Sequence, residues 1–248
     1  EVNGQLMHHL SEIASILFFL LGAMTIVELI DTHNGFDIIT QKITTTSKRK
    51  LLFIVVGMAF FLSALLDNLT TAIVMVSLSG KILPARKDRL WFAGMIVIAA
   101  NAGGAWSPLG DVTTTMLWIG GQITAFNIMK QLLLPSIFVC LVPTLIVAYR
   151  FRGQHIREIK KESFTPLQLS EGRIMLFSGI GFLIFVPVFK TLTALPPFMG
   201  MLLALGLMWV ITTFLHKSKE PALAEKFDVS RVLQKVDTPS ILFFLGIL

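Results

Sequence analysis

Charge and cysteine are scarce in this chain. Only 15% of its 248 residues are Asp, Glu, Lys or Arg, against roughly 25% in a soluble domain. A single cysteine, Cys140, excludes a disulfide framework and any Cys-based metal site. There is no Walker loop, zinc-ligand spacing or nucleophile elbow, so primary ATP-driven transport has no support here. Residues 1–11 are polar, carry His8 and His9, and lack a basic n-region, so no signal peptide is expected there. Hydrophobic residues make up 54% of the chain and the mean hydropathy is +0.76. They fall in blocks close to the length that crosses a hydrocarbon core about 30 Å thick. The chain reads as an all-α polytopic membrane protein. A net charge of +6 could suggest nucleic acid, but the basic residues lie between apolar blocks. Membrane topology explains them first, and no nucleic-acid partner is expected.

Five blocks read as full or nearly full spans: 12–30, 90–120 (interrupted), 132–149, 174–189 and 198–215. Residues 51–83 differ, because Asp67-Asn68-Leu69-Thr70-Thr71 breaks the apolar run and leaves a second arm too short to cross. Two short arms around a polar tip predict a re-entrant hairpin. Lys42, Lys48, Arg49 and Lys50 precede it, and Lys81, Arg86, Lys87 and Arg89 follow it, so both mouths face the cytoplasm. On this topology every Lys and Arg except Lys130 and Lys190 is cytoplasmic. Two complete spans in place of the hairpin would have the same parity.

A repeat bears on the whole chain. Ser15-Ile16-Leu17-Phe18-Phe19-Leu20-Leu21-Gly22 returns as Ser240-Ile241-Leu242-Phe243-Phe244-Leu245-Gly246, and by topology the two copies run in opposite directions. Chance similarity of two Leu/Phe-rich helices is the plain account; inverted duplication, common in secondary transporters, is the preferred one. The expected organisation is a first transmembrane repeat over 1–235, with its hairpin at 51–83 and a broken helix at 90–120. Residues 236–248 then begin a second, inverted repeat that is largely absent from the chain.

An ionisable group deep in a membrane is costly and therefore a functional candidate. Glu12 opens the first span, where a solvated cap is the simpler reading. Glu28, beside Asp31 and His33 near the span's end, is either an interfacial carboxylate or part of a proton-access or pH-sensing group. Asp67, Asn68, Thr70 and Thr71 gather a carboxylate, an amide oxygen and two hydroxyls at the hairpin tip. Oxygen ligands suit a hard cation such as Na⁺ or Li⁺, which a carboxylate can exchange for a proton. The second signal runs from Asn101 to Thr115. Its three glycines and Pro108 should unwind the helix, and Ser107, Asp111, Thr113 and Thr114 put more oxygens at the break. The four tryptophans and eleven methionines read as interfacial and packing residues, and His155 as a solvated loop residue.

The segments 63–72, 101–114 and Glu28-Leu29-Ile30-Asp31-Thr32-His33 resemble NhaD-type sodium/proton antiporters of the ion transporter superfamily. Citrate, dicarboxylate and arsenite carriers share that architecture, in which each inverted repeat brings a hairpin tip and a broken helix to an ion site. The resemblance implies that Asp67, Asn68 and Thr70 form the hairpin part of the site. It implies Asn101, Ser107, Asp111, Thr113 and Thr114 as the broken-helix part. Na⁺ or Li⁺ would be held through Asp67, Asn68, Asp111 and Thr113, exchanged for H⁺ by alternating access, without a resident cofactor. The setting would be a lipid bilayer, the bacterial inner membrane being the expected one, and a homodimer is compatible with it.

A Na⁺-coupled anion or dicarboxylate carrier is the nearest alternative, although an Asp at the tip would repel the anion. A cation channel would also use oxygen-lined half-helices. An intramembrane aspartyl protease is disfavoured, because Pro108-Leu109-Gly110-Asp111 has proline where the first glycine of the Gly-x-Gly pattern should stand. The chain is therefore expected to be no enzyme.

Overall fold

The structure, a computed structural model, describes residues 2–38, 43, 45–156, 164–217, 227, 229–236 and 238–247. It divides into two compact units, Phe36–Phe164 and the remainder, Glu1–Gly35 with Thr165–Leu248. Among the described residues its regular elements are helices: α1 (Val2–Thr32), α2 (Lys48–Ser63), α3 (Asn68–Ile82), α4 (Arg86–Ala105) and α5 (Val112–Ile119). They continue as α6 (Ala125–Arg150), α7 (Pro166–Thr193), α8 (Pro197–His216), α9 (Val229–Leu233) and α10 (Thr238–Ile247). Among the described residues, α1 from Ile13, α6, α7 and α8 are long and apolar enough to cross a membrane. This is an all-α polytopic membrane fold.

The helices overrun the apolar blocks that announced them. The broken helix starts at Arg86 rather than residue 90, and α7 starts at Pro166 rather than 174. Polar first turns explain the difference. Thr165 caps α7 with a reciprocal box: its hydroxyl accepts from Gln168 N (3.3 Å), and Gln168 Oε1 accepts from Thr165 N (2.9 Å). Pro166 follows at the first helical position, where its missing N–H costs nothing. Both copies of the repeated segment are helical, in α1 and α10.

In the unit of Phe36–Phe164, α2 and α3 are antiparallel arms joined by a turn at residues 64–67. At 16 and 15 residues the arms reach about 24 and 22 Å, short of a core about 30 Å thick. Asn68–Thr71 do not form the turn, as the sequence pattern had suggested; they are the first turn of α3. The reason is Asp67, which is a helix N-cap and so starts the arm early. Helix α4 also departs from expectation. It runs unbroken through Gly103 and Gly104 to Ala105, and the chain leaves helical geometry only over residues 106–111, around Pro108.

Gly103 and Gly110 serve close approach to α2. A Cβ on Gly103 would strike the Phe60 carbonyl of α2, and one on Gly110 would strike the Ser63 carbonyl. The hairpin and the broken helix thus meet backbone to backbone. The opposite ends are fastened as well. Lys48 Nζ pairs with Asp88 (2.7 Å), and its backbone N–H donates to Gln154 O (3.1 Å). Ser47 bridges His155, and Phe92 packs on Phe151 (centroids 5.7 Å apart). His155 makes this bridge while staying exposed, in keeping with the solvated loop residue expected. The entry of α2 and the exit of α3 into α4 lie at one end of the unit. Cysteines at Arg49 and Lys87, with Cys140 replaced by Ala, should accordingly react with a membrane-impermeant maleimide from the same side. Labelling from opposite sides would require one continuous crossing.

In the other unit, α1 packs on α8 and α7. Gly22 admits Met201, whose Cγ would lie 2.7 Å from an added Cβ, and Gly179 admits Ile30. Large apolar side chains are exposed on α7 and α8 here, such as Phe177 and Phe214, and on α6 of the unit Phe36–Phe164, such as Phe138 and Ile146. That is the pattern of lipid-facing helices.

Candidate functional site

The site is built by two helix starts. Asp67 caps α3: Oδ1 accepts from Thr70 N (2.7 Å) and Oδ2 from the Thr70 hydroxyl (2.5 Å). Asp111 caps α5 in the same way: Oδ1 accepts from Thr113 N (2.8 Å) and the Thr113 hydroxyl (2.6 Å). Each carboxylate is thus held by the Thr two or three residues on, at the positive end of a helix dipole.

The two tips are joined by Asn68. Its Nδ2 donates to Asn101 Oδ1 on α4 (3.0 Å) and to Asp111 Oδ2 (3.1 Å). Asn101 is in turn oriented by its own Nδ2, which donates to Val97 O (2.8 Å). Behind this contact the Ser63 hydroxyl donates to Ala100 O (2.6 Å), tying the end of α2 to α4. Asp67, Asn68 and Asp111 are partly exposed and Asn101 is exposed, so the cluster is reachable.

Other expected ligands are placed differently. The Ser107 hydroxyl is buried and accepts from Leu109 N (3.2 Å) within the break. Thr114 donates to Ser107 O (3.0 Å) and Asp111 O (2.9 Å), which shapes the same loop. Thr71 is fully buried, and its hydroxyl has no hydrogen-bond partner among the described residues. Two residues that the motif reading passed over matter to the scaffold. Ser63 is one; Thr115, whose hydroxyl donates to Pro108 O (2.8 Å) and Asp111 O (2.9 Å), is the other. The signal for Thr115 was its place in the Thr triplet after Asp111.

Glu28, Asp31 and His33 belong to the other unit. Glu28 Oε1 accepts from the Thr32 hydroxyl (3.4 Å) and pairs with Lys235 Nζ (3.7 Å). His33 is buried, with Nδ1 2.6 Å from Leu29 O, and its ring packs against His216 and Phe227 at 5.1 and 4.8 Å. The side chain of Glu12 lies outside the described residues.

Chemically, the tips present two carboxylates, two carboxamides and two hydroxyls, all hard donors. Among the described residues no three His, Cys, Asp or Glu side chains gather as a metal centre. A mixed, partly neutral oxygen set at two helix starts suits reversible binding better than permanent retention.

Comparison with known proteins then decides the family: a model described as "Citrate transporter" matches residues 7–248. The chain belongs to the citrate transporter family. Among relatives within reach of this citrate transporter family chain, "Sodium/proton antiporter 1" of Arabidopsis thaliana is 47% identical over 98% of the chain and 42% of its own length. "Sodium/proton antiporter 2" of the same plant is 43% identical over 100% of the chain and 59% of its own length. "Na(+)/H(+) antiporter NhaD" of Vibrio cholerae is 33% identical over 100% of the chain and 56% of its own length. The NhaD resemblance of three short segments therefore extends over the whole chain. The chain spans about half the length of the curated relatives it matches. Its family is one of integral membrane transporters, not enzymes.

Proposed function

We propose that the protein containing this chain exchanges Na⁺ or Li⁺ for H⁺ by alternating access, with Asp67, Asn68, Asn101 and Asp111 at the coupling site. The observation that carries this reading is the meeting of Asn68 with Asn101 and Asp111, which brings the helix start capped by Asp67 against a carboxylate and an amide oxygen of the broken helix. Thr70 and Thr113 hold the carboxylates, Ser107 and Thr114 shape the break behind Asp111, and Thr71 lies buried in the first turn of α3. The names of the plant and Vibrio relatives support Na⁺ and H⁺. Residues 1–235 form the first repeat and 236–248 begin an inverted second one, which supplies the rest of the site. The membrane is an energised one; the bacterial plasma membrane suits the NhaD relatives, and the plant relatives extend the choice beyond bacteria.

Citrate carriage is the second reading, favoured by the description of the family model. The tips oppose it. One carboxylate and one anion charge about 4 Å apart repel by about 4 kcal/mol at an effective dielectric near 20, and the Asp111 carboxylate stands at the tip contact. The deciding experiment uses everted vesicles with the full-length protein. Na⁺ should dissipate a preformed pH gradient with saturation, and citrate should not be taken up. Na⁺-driven citrate uptake without proton release would replace the antiporter by the carrier, and unsaturable flux would replace it by a channel. In the same assay Glu28→Gln should keep exchange but displace its pH profile, since Glu28 is engaged with Lys235 and Thr32 rather than with the tips. Complete loss in Glu28→Gln would move Glu28 into the coupling machinery.

A further inference from the structure

The orientation of the Asn68 amide follows from its neighbours. Asn101 gives its Nδ2 to Val97 O (2.8 Å), which turns its Oδ1 toward the hairpin tip. Asp111 uses Oδ1 for the Thr113 N–H and hydroxyl, which leaves Oδ2 facing the same point. Amide and carboxylate oxygens only accept hydrogen bonds. The Asn68 group between them must therefore be its NH2, at 3.0 Å from one oxygen and 3.1 Å from the other. With the amide reversed, three acceptors would confront one another with no proton among them.

We infer that the Asn68 NH2 stands in the ion-free site where the transported cation binds, and that Na⁺ enters by displacing it. The inference deepens the sodium/proton reading and rests on it. The NH2 carries only partial positive charge, so it satisfies Asn101 Oδ1 and Asp111 Oδ2 without matching the full charge of an ion. When Na⁺ takes its place, a half-turn of the carboxamide brings Asn68 Oδ1 to the ion. One residue is then a substitute cation in the empty state and a ligand in the loaded state. The carboxylate oxygen of Asp111, never left without a donor or an ion, gains its selectivity from this exchange: only a cation that outcompetes an amide is held. Asp67 takes no part in the swap, because both its oxygens accept from Thr70.

The test uses the purified full-length protein, with unfolding temperature followed against Na⁺ at constant ionic strength. Asn68→Asp has the same size but puts an oxygen where the NH2 stood. Without Na⁺ it should unfold at a lower temperature than the parent. Na⁺ should restore the loss, and the apparent dissociation constant for Na⁺ should fall at least tenfold. A loss that Na⁺ does not restore, or an unchanged or weaker affinity, would reduce Asn68 to a plain cross-link between the tips and overturn the inference. If Asn68→Asp does not fold, isotope-edited infrared spectra of the parent carry the test. The side-chain carbonyl band of Asn68, identified by its loss in Asn68→Ser, should shift when Na⁺ is added; an unmoved band overturns the inference. A parent that Na⁺ does not stabilise at all would instead refute the antiporter reading, and this inference with it. A Na⁺-stabilised parent with no gain in Asn68→Asp removes this inference alone.

Discussion

Asp67→Asn in the full-length protein should abolish Na⁺-dependent proton movement in everted vesicles at every pH tested. The substitution is conservative for the fold. Asn is about as good an N-cap as Asp, and its Oδ1 can still accept from Thr70 N, which lies 2.7 Å from Asp67 Oδ1. The Nδ2 that replaces Oδ2 can donate to the Thr70 hydroxyl, which turns to accept. The lost properties are the full negative charge and the ability to take up a proton, which are the two that exchange needs. Unfolding temperature without Na⁺ should therefore stay close to the parent's while transport disappears. Exchange at the parent's rate would show that Asp67 is a cap and no more, and coupling would be reassigned first to Asp111, whose Oδ2 faces Asn68.

The largest effect on stability is expected from Gly103→Ala. An added Cβ would meet the carbonyl oxygen, carbonyl carbon and Cα of Phe60, all backbone, so no side chain can turn aside to admit it. Overpacking a well-filled interior costs about 1–3 kcal/mol and occasionally more. A clash with backbone belongs at the upper end of that range. The gain of about 1 kcal/mol in helix propensity offsets it only in part. Gly94 supplies the control: it lies in the same helix, and a Cβ there meets nothing within 4 Å. Gly94→Ala should leave stability unchanged or raise it by up to about 1 kcal/mol. Unfolding in detergent measures both variants. Equal unfolding temperatures for the two would mean that α2 and α4 do not approach as closely as described.

The hairpin and the broken helix were legible because a membrane enforces long apolar runs, and polar interruptions in them stand out. Asp67-Asn68 and Asn101…Asp111 could be marked for that reason alone. What the interruptions do locally was less legible. An Asp before Asn-Leu-Thr-Thr looks like a polar turn, yet as an N-cap it draws those residues into α3 and moves the turn back to 64–67. Gly103 and Gly104 look like helix breakers, yet the helix continues through them because α2 presses on that face. Neither the pressing partner nor its distance is encoded within a few residues of the glycines. The same holds for Thr71 and Ser107. A hydroxyl in a motif has no stated direction until packing fixes it, and here both are buried. Polar first turns extend helices beyond their apolar blocks: Thr165 caps that of α7, while that of α4, starting at Arg86, has no side-chain cap.

The salt bridge at the wide end of the hairpin has a mechanical consequence. Lys48 ties the foot of α2 to Asp88 on α4 and to Gln154 beyond α6, while at the other end Ser63 and Asn68 tie the tip to Ala100, Asn101 and Asp111. A lever clamped at both ends has no free hinge. Prising the hairpin away from the broken helix would break the ion pair, the Ser63 bond and both Asn68 bonds together. The low-energy motion left to the backbone of these elements is displacement as one block, while the Asn68 side chain can still turn at the tip without parting the helices.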